Sequence, residues 1–490
     1  MTKSLAKNAI FKSVLNICNI IIPIIVGPYV LRVLNREYYD LYNSVNSIFQ
    51  FFLIFGALGI YNYGVREISK ISSEKDECNR FYTELFFIGV VSNIIGLGVY
   101  LTFGFLTEKD TLTRILCCIL SAQFFGNIFN FEWVNEAHEN YVFIAVKSII
   151  VKIVYFVCIF IFVRECNDIL AYIGLLTGSM ILNTLISFIF IKRRYKFVFK
   201  GLKFKRHFLP ILNTFIIVNI MLFYAQFDKL MLNYFVDESS VSAYQISQYI
   251  SSLCYSVVIA VVTVTIPRIA NLIAQEKTEE AHGIHQSSAN VFLMFMLPIT
   301  LGIVLLAKEI IWIYGGDQYD DCVQPLMVYA VLQLVSSVHY ILGDAYFYIT
   351  GREKLLLLIN SCGAVVNIGL NFLLIALKMF SATTAAITLL SAYALIGIID
   401  YIVLRKKYGY KFLLFNKHTL LYLVCSLVFI PVIMLMRLAG LNIFLHTGIC
   451  FVLCVVVYAF LLFIFKDSYF RNTADKFGRK IKSMFMRNKK

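Results

Sequence analysis

The sequence predicts an all-α polytopic membrane protein of 14 transmembrane helices, arranged as two pseudo-symmetric six-helix lobes with two further C-terminal helices. Three observations predict it. The 490-residue chain is 60% hydrophobic and only 15% charged, whereas a soluble globular chain is about 45–50% apolar and about 25% charged. Apolar runs of roughly 20 residues, long enough to cross a hydrocarbon core, recur from end to end. A polar and charged pattern near residue 42 returns 202 residues later.

In chain order the spans fall at 9–31, 41–64, 81–105, 112–131, 141–163, 168–191, 210–234, 241–266, 288–312, 323–349, 355–377, 381–404, 418–437 and 442–465. The basic start MTKSLAKNAI resembles the head of a signal peptide. The apolar run after it is long and has no small-residue cleavage pattern, so it reads as a retained first helix. An even number of spans places both termini on one side. Loops on that side hold 32 of the 44 Lys and Arg, and the opposite loops hold 6. The positive-inside rule then puts both termini in the cytoplasm and accounts for the net charge of +15 without nucleic acid. The implied organisation is 1–191 for the first lobe, 192–209 for a basic linker, 210–404 for the second lobe, and 405–490 for the last two helices and a basic tail. The loop 192–210, KRRYKFVFKGLKFKRHFLP, suits contact with anionic membrane lipids.

The repeat relates residues 42–75 to 244–277. Arg66 falls on Arg268. Asn43, Asn46 and Gln50 fall on Gln245, Gln248 and Ser252, a spacing that marks one helical face. The two copies are separated by six spans and so run parallel, related by an axis along the membrane normal. Further polar residues lie on the first span (Lys12, Asn16, Asn19), the fifth (Lys147, Lys152), the seventh (Gln226, Asp228, Lys229, Asn233) and the tenth (Asp344). Charged groups inside a bilayer usually face a bundle interior or a watery cavity. Matching stripes in the two halves are what a central water-filled cavity needs. The competing reading is interhelical hydrogen bonding, with Lys12, Lys147 and Lys152 snorkelling to the interface.

Basic candidates for the cavity are Lys12, Arg32, Arg66, Lys147, Lys152, Lys229 and Arg268; acidic ones are Glu67, Glu132, Asp228 and Asp344. The positive balance favours an anionic substrate, and the arginine fork suits phosphate. The acids are candidate counter-ions, or carriers of a coupling proton or sodium ion. Pro23 and Pro28 are expected to bend the first span. The 12 Cys mostly lie inside apolar runs and form no C-x-x-C pair, which favours buried hydrophobes over disulfides or metal ligands. His282 and His285 read as exposed loop residues. Nucleotide-binding, serine-hydrolase and zinc-protease motifs are absent from the sequence, so no catalytic residue, metal or cofactor is expected.

Six stretches carry a family resemblance: GPYVLRVLNREYYDLYN (27–43), GALGIYNYGVREIS (56–69), FDKLMLNYF (227–235), PRIANL (267–272), YGGDQY (314–319) and ITGREK (349–354). In their order and spacing, with 14 helices, the chain resembles the oligosaccharide (O-antigen type) flippases of the multidrug/oligosaccharidyl-lipid/polysaccharide exporter superfamily. The resemblance implies two six-helix lobes around a central cavity in a bacterial cytoplasmic membrane. It implies translocation of an undecaprenyl-diphosphate-linked oligosaccharide by alternating access, with basic cavity residues engaging the diphosphate. Arg66 and Arg268 match the family's helix-end arginines and Asp228–Lys229 its D-K pair. Asn35 and Asp40 stand where the family commonly has glycines. A glycan polymerase and other assembly proteins are the implied partners. Two alternatives are a drug or small-cation exporter of the same superfamily, which calls for an acidic cavity, and a membrane glycan polymerase, which calls for a larger exterior loop than the ten or so residues around 314–323.

Overall fold

A computed structural model describes residues 2–71, 74–107, 110–410 and 413–475. Every regular element among them is helical. The chain divides into two compact units, residues 1–242 and 243–490.

The first unit contains α1 (Thr2–Val33), α2 (Arg36–Ala57), α3 (Ile60–Ile71), α4 (Lys75–Thr107), α5 (Thr111–Ile128), α6 (Glu132–Ala137), α7 (Tyr141–Phe162), α8 (Ile169–Lys192), α9 (Lys205–Phe235) and the start of α10 (Glu238–Thr263). Helix starts are capped by side chains: Asn35 accepts from the Glu37 amide and Asp110 from the Thr113 amide. The helix α1 continues through Pro23 and Pro28. One apolar centre packs Phe49 edge-to-face on Tyr100 and Phe124, with centroids 5.5 and 5.4 Å apart. The span expected at 41–64 is broken. Leu58 adopts a left-handed conformation and Gly59 follows with φ +67°. A Cβ on Gly59 would also lie 3.0 Å from the Phe215 backbone nitrogen, so glycine meets both the turn and the close approach. Near this end, the Gly56 carbonyl accepts from Ser92 Oγ at 2.7 Å and Asn93 Nδ2 at 3.1 Å.

The second unit continues with α11 (Ile266–Ala274), α12 (Thr278–Leu305), α13 (Ala307–Gly315), a 3-10 turn (Asp317–Cys322), α14 (Val323–His339), a π-helical turn (Tyr340–Ala345), α15 (Tyr346–Ile349), α16 (Glu353–Ala376), α17 (Ala382–Tyr408), α18 (Lys417–Leu427), α19 (Phe429–Leu438) and α20 (Ile443–Ile464). A Ser381–Thr384 capping box starts α17, and Gly409 at φ +61° ends it. Buried amides join α16 to α17: Asn367 donates to Thr388 Oγ1 at 3.3 Å, and Thr388 donates to Asn371 Oδ1 at 2.5 Å. Amides one turn apart on α16 thus tie it to α17.

Among the described residues, twelve helices are long and apolar enough to cross a membrane, or thirteen when the two halves of α9, bent by 59°, count as one. Each of the fourteen expected spans has a helical counterpart; α10 is 26 residues long and carries both its glutamines, Gln245 and Gln248, in its first half. Fourteen is therefore an approximate count for a polytopic all-α membrane protein.

Candidate functional site

The most complete polar site lies in the first unit, around Lys147. The short helix α6 puts Glu132 in its first turn, facing α7 and α8. Lys147 of α7 is 5% exposed. Its ammonium donates to Glu132 Oε2 at 2.6 Å, Ser187 Oγ at 2.6 Å and the Asn183 carbonyl at 3.1 Å. Ser187 also donates to Glu132. Three acceptors for three N–H groups satisfy a buried ammonium. Lys147 is thus locked into the helix packing, and the Ser187 and Asn183 partners were not foreseen. Their signal was present: the two are one turn apart on a single apolar helix. An open groove of about 790 Å³ runs alongside, lined by Asn8, His138, Asn140, Phe143 and Lys147 among others.

The second buried cation is Lys229 on α9. It is 7% exposed and follows Asp228, which is fully buried. Nearby, Asn43 of α2 donates to Ser242 Oγ at 2.8 Å, and Ser44 donates to Asn233. Gln50 and Asn46, both half-buried, are 3.5 Å apart. Gln226 and Gln245 each bury a side-chain oxygen with no hydrogen-bond partner. Gln248 is half-buried, and Ser252 bonds back to the Tyr249 carbonyl of its own helix.

The repeat-related arginines each lie on a short helix following a break. Arg66 on α3 is exposed and meets Glu67 at 2.9 Å; Lys70 meets the same oxygen at 2.9 Å. Arg268 on α11 is also exposed, with Pro267 in the first turn of that helix. The polar face of α1 is exposed too: Lys12 sits 4.7 Å from the Tyr141 ring centroid, while Asn16, Asn19 and Arg32 are exposed. Lys152 is half-buried. The side chain of Asp344 lies outside the described residues.

Three polar clusters escaped the sequence reading. Glu84 of α4, fully buried, accepts from Arg206 at 2.9 Å, pairs with His207 at 2.6 Å and receives the Lys203 amide. With Asn79 and Thr83 taking the Lys196 and Val198 amides, it pins the basic linker onto α4. His285, expected to be exposed, is buried in α12 and pairs with the Tyr410 hydroxyl. His339 and Asp400 form a buried pair in the second unit. Each acid could have been flagged as a lone carboxylate in an apolar run.

Beyond the ends of the spans, His138 donates from Nδ1 to the Val134 carbonyl at 2.8 Å, leaving Nε2 to accept from the Tyr195 hydroxyl at 2.7 Å. Burial lowers the His138 pKa and pushes Tyr195 up to about 12.

Apolar helices long enough to cross a bilayer, carrying buried ion pairs and amide stripes, define a multi-pass membrane protein. A sequence model described as "Polysaccharide biosynthesis protein" matches residues 5–273, more than half of the chain, and the chain belongs to that family. A second model, MatE, matches residues 210–373. The chain is 21% identical over 400 residues to a putative O-antigen transporter of Escherichia coli (strain K12), covering 80% of this chain and 95% of that one. It is 22% identical over 153 residues to a probable low-salt glycan biosynthesis flippase, Agl15, of Haloferax volcanii, covering 31% and 32% of the two chains. Its fold is similar to that of the lipid II flippase MurJ in an inward closed conformation, with TM-score 0.74, 16% identity and coverage of 93% of this chain and 98% of that one. These matches identify a flippase of the multidrug/oligosaccharidyl-lipid/polysaccharide exporter superfamily.

Proposed function

We propose that this protein flips a lipid-linked oligosaccharide, carried on undecaprenyl diphosphate, from the cytoplasmic to the outer leaflet of a bacterial cytoplasmic membrane for surface polysaccharide assembly. The observation that carries the reading is a buried lysine, Lys229, held inside an apolar helix of a chain in the polysaccharide biosynthesis family. A buried ammonium is costly in a membrane and suits a site that receives an anion. Arg66 and Arg268, exposed on their short helices, would offer bidentate donors to the diphosphate. Lys147 is assigned a structural role, since its three donors are occupied by protein.

In this reading the termini are cytoplasmic, the basic linker rests on anionic lipid, and a polymerase receives the flipped unit. Access alternates through a cationic cavity. Six-helix lobes at 1–191 and 210–404 supply the moving parts.

The test replaces Arg66, Lys229 and Arg268 together with alanine in cells that display the glycan. Surface glycan should vanish while the amount of protein in the membrane stays unchanged. Normal export by the triple variant would sink the diphosphate-binding role. Drug efflux from vesicles, lost on changing Asp228, would replace the proposed substrate by a cation.

A further inference from the structure

Among the described ionisable side chains of the second unit, His339 and Asp400 are the most enclosed as a pair. His339 Nδ1 lies 2.7 Å from Asp400 Oδ2, and the side chains are 1% and 0% exposed. His339 ends α14 and Asp400 sits on α17. Neither is needed to bind an anion, and a histidine beside a carboxylate is an expensive way to join two membrane helices.

Two further observations coincide at the pair. The α-helix gives way to the π-helical turn Tyr340–Ala345 directly after His339. Such turns have a looser hydrogen-bond register and often mark functional positions. Gly343 lies within that turn, and a Cβ there would fall 2.5 Å from Asp400 Oδ2 and 2.9 Å from His339 Nδ1. The π turn and the His339–Asp400 contact therefore crowd together, with a glycine leaving the room for them.

We propose that His339 and Asp400 form a proton-binding site inside the second unit, and that holding or releasing the proton sets the geometry of the π turn. The proposal rests on the flippase reading only for the use made of the proton. With one proton held, imidazolium and carboxylate sum to zero charge and can stay buried. When water takes the proton from the imidazole, a lone carboxylate remains. An isolated charge in an apolar interior has a large solvation penalty. That state demands hydration, and the π turn is the element beside it with slack in its backbone ladder. Proton occupancy and local packing are coupled for this reason.

Among the described side chains, titratable groups near the pair come from α17 and α12, while Asp344, within the π turn itself, has its side chain outside the described residues. The Tyr393 ring of α17 is 6.0 Å from the His339 ring. Arg405, farther along α17, donates to Tyr401 at 2.9 Å. His285 of α12 approaches the π turn at the Ile341 carbonyl. The neighbouring helix α16 contributes the buried but uncharged Asn360 and Asn367.

The experiment is infrared difference spectroscopy of the full-length protein in liposomes, between about pH 5 and about pH 8, a window spanning the ordinary histidine range. No glycan is present, so failure here leaves the flippase reading standing, and failure of glycan export leaves this titration standing. The wild-type protein should show coupled imidazole and carboxyl bands with a single midpoint. Asp400→Asn should remove the carboxyl band and His339→Gln the imidazole band. Gly343→Ala, which wedges the contact, should move the midpoint by about one pH unit or more. Should Asp400→Asn fail to reach the membrane, His339→Gln carries the test alone. Absence of coupled bands in the wild type, or bands unaltered by these substitutions, would overturn the proposal.

Discussion

Two short helices carry the two repeat-related arginines, and they are held in different ways. On α3, Gly64 lies against the Trp133 ring, where a Cβ would approach to 2.7 Å, and Tyr63 bonds His207 at 2.8 Å. Tyr61 donates to Glu136 at 2.5 Å. On α11, Ile269 is the buried residue and the helix packs on α12. In the register of the repeat, Tyr63, Gly64 and Glu67 become Thr265, Ile266 and Ile269. The arginine is duplicated, and the residues that fix its helix are not. A repeat in a membrane protein can thus preserve a charge at a helix end while each copy builds its own support. The lone carboxylate Glu67 beside Arg66 adds little to stability, since exposed ion pairs are worth about 0–1 kcal/mol. The packing of α3 on α6 is what separates the two helices.

The largest expected break in this comparison comes from below α3. Helix α6 carries both Trp133, which supports Gly64, and Glu132, which is tied to buried Lys147. Lys147→Met leaves Glu132 partly buried without its cation, and breaking a buried pair costs about 3–5 kcal/mol. The thermal unfolding midpoint of the detergent-solubilised protein should fall steeply. Lys147→Met combined with Glu132→Leu should recover most of the loss, because no lone charge remains. A double variant as unstable as the single one would show that the stranded Glu132 charge is not the source of the loss.

The next effect compares the helices directly. Gly64→Val drives a branched side chain into the Trp133 ring and should cost about 1–3 kcal/mol by overpacking. The aligned change on α11, Ile266→Val, removes one methylene from a half-buried residue and should cost about 1 kcal/mol or less. Equal losses in the two unfolding curves would mean that α3 and α11 are held alike after all.

How much of this was legible depends on the physics behind each feature. Spans announce themselves because a bilayer demands roughly 20 apolar residues of the sequence itself. Gly59 and Pro267 mark helix breaks and were visible as letters. The polar face of α1 was legible as a stripe, yet Lys12, Asn16 and Asn19 are exposed; periodicity identifies a face without saying what that face meets. Lys147 read equally well as a snorkelling lysine, because its acid, Glu132, is brought to it by a six-residue helix with no apolar period of its own. The His339–Asp400 pair joins residues 61 apart in sequence, on separate spans. Such pairs depend on which helices become neighbours, and the local pattern of neither helix encodes that.

The smallest effect reaches α3 through the far end of α6. His138, directly after α6, accepts the Tyr195 hydroxyl at 2.7 Å through Nε2, which requires the neutral imidazole. Burial depresses its pKa in the folded protein. The folded state therefore binds fewer protons than the unfolded one between the lowered value and the ordinary histidine value of about 6.5. Stability from this contact is present above that ordinary value and is lost as pH falls through the window towards the depressed one. Mild acid should lower the unfolding midpoint of the wild type slightly. In His138→Gln, which titrates nowhere in this range, that component should be missing, and an unchanged acid slope in the variant would remove His138 from the support of α6.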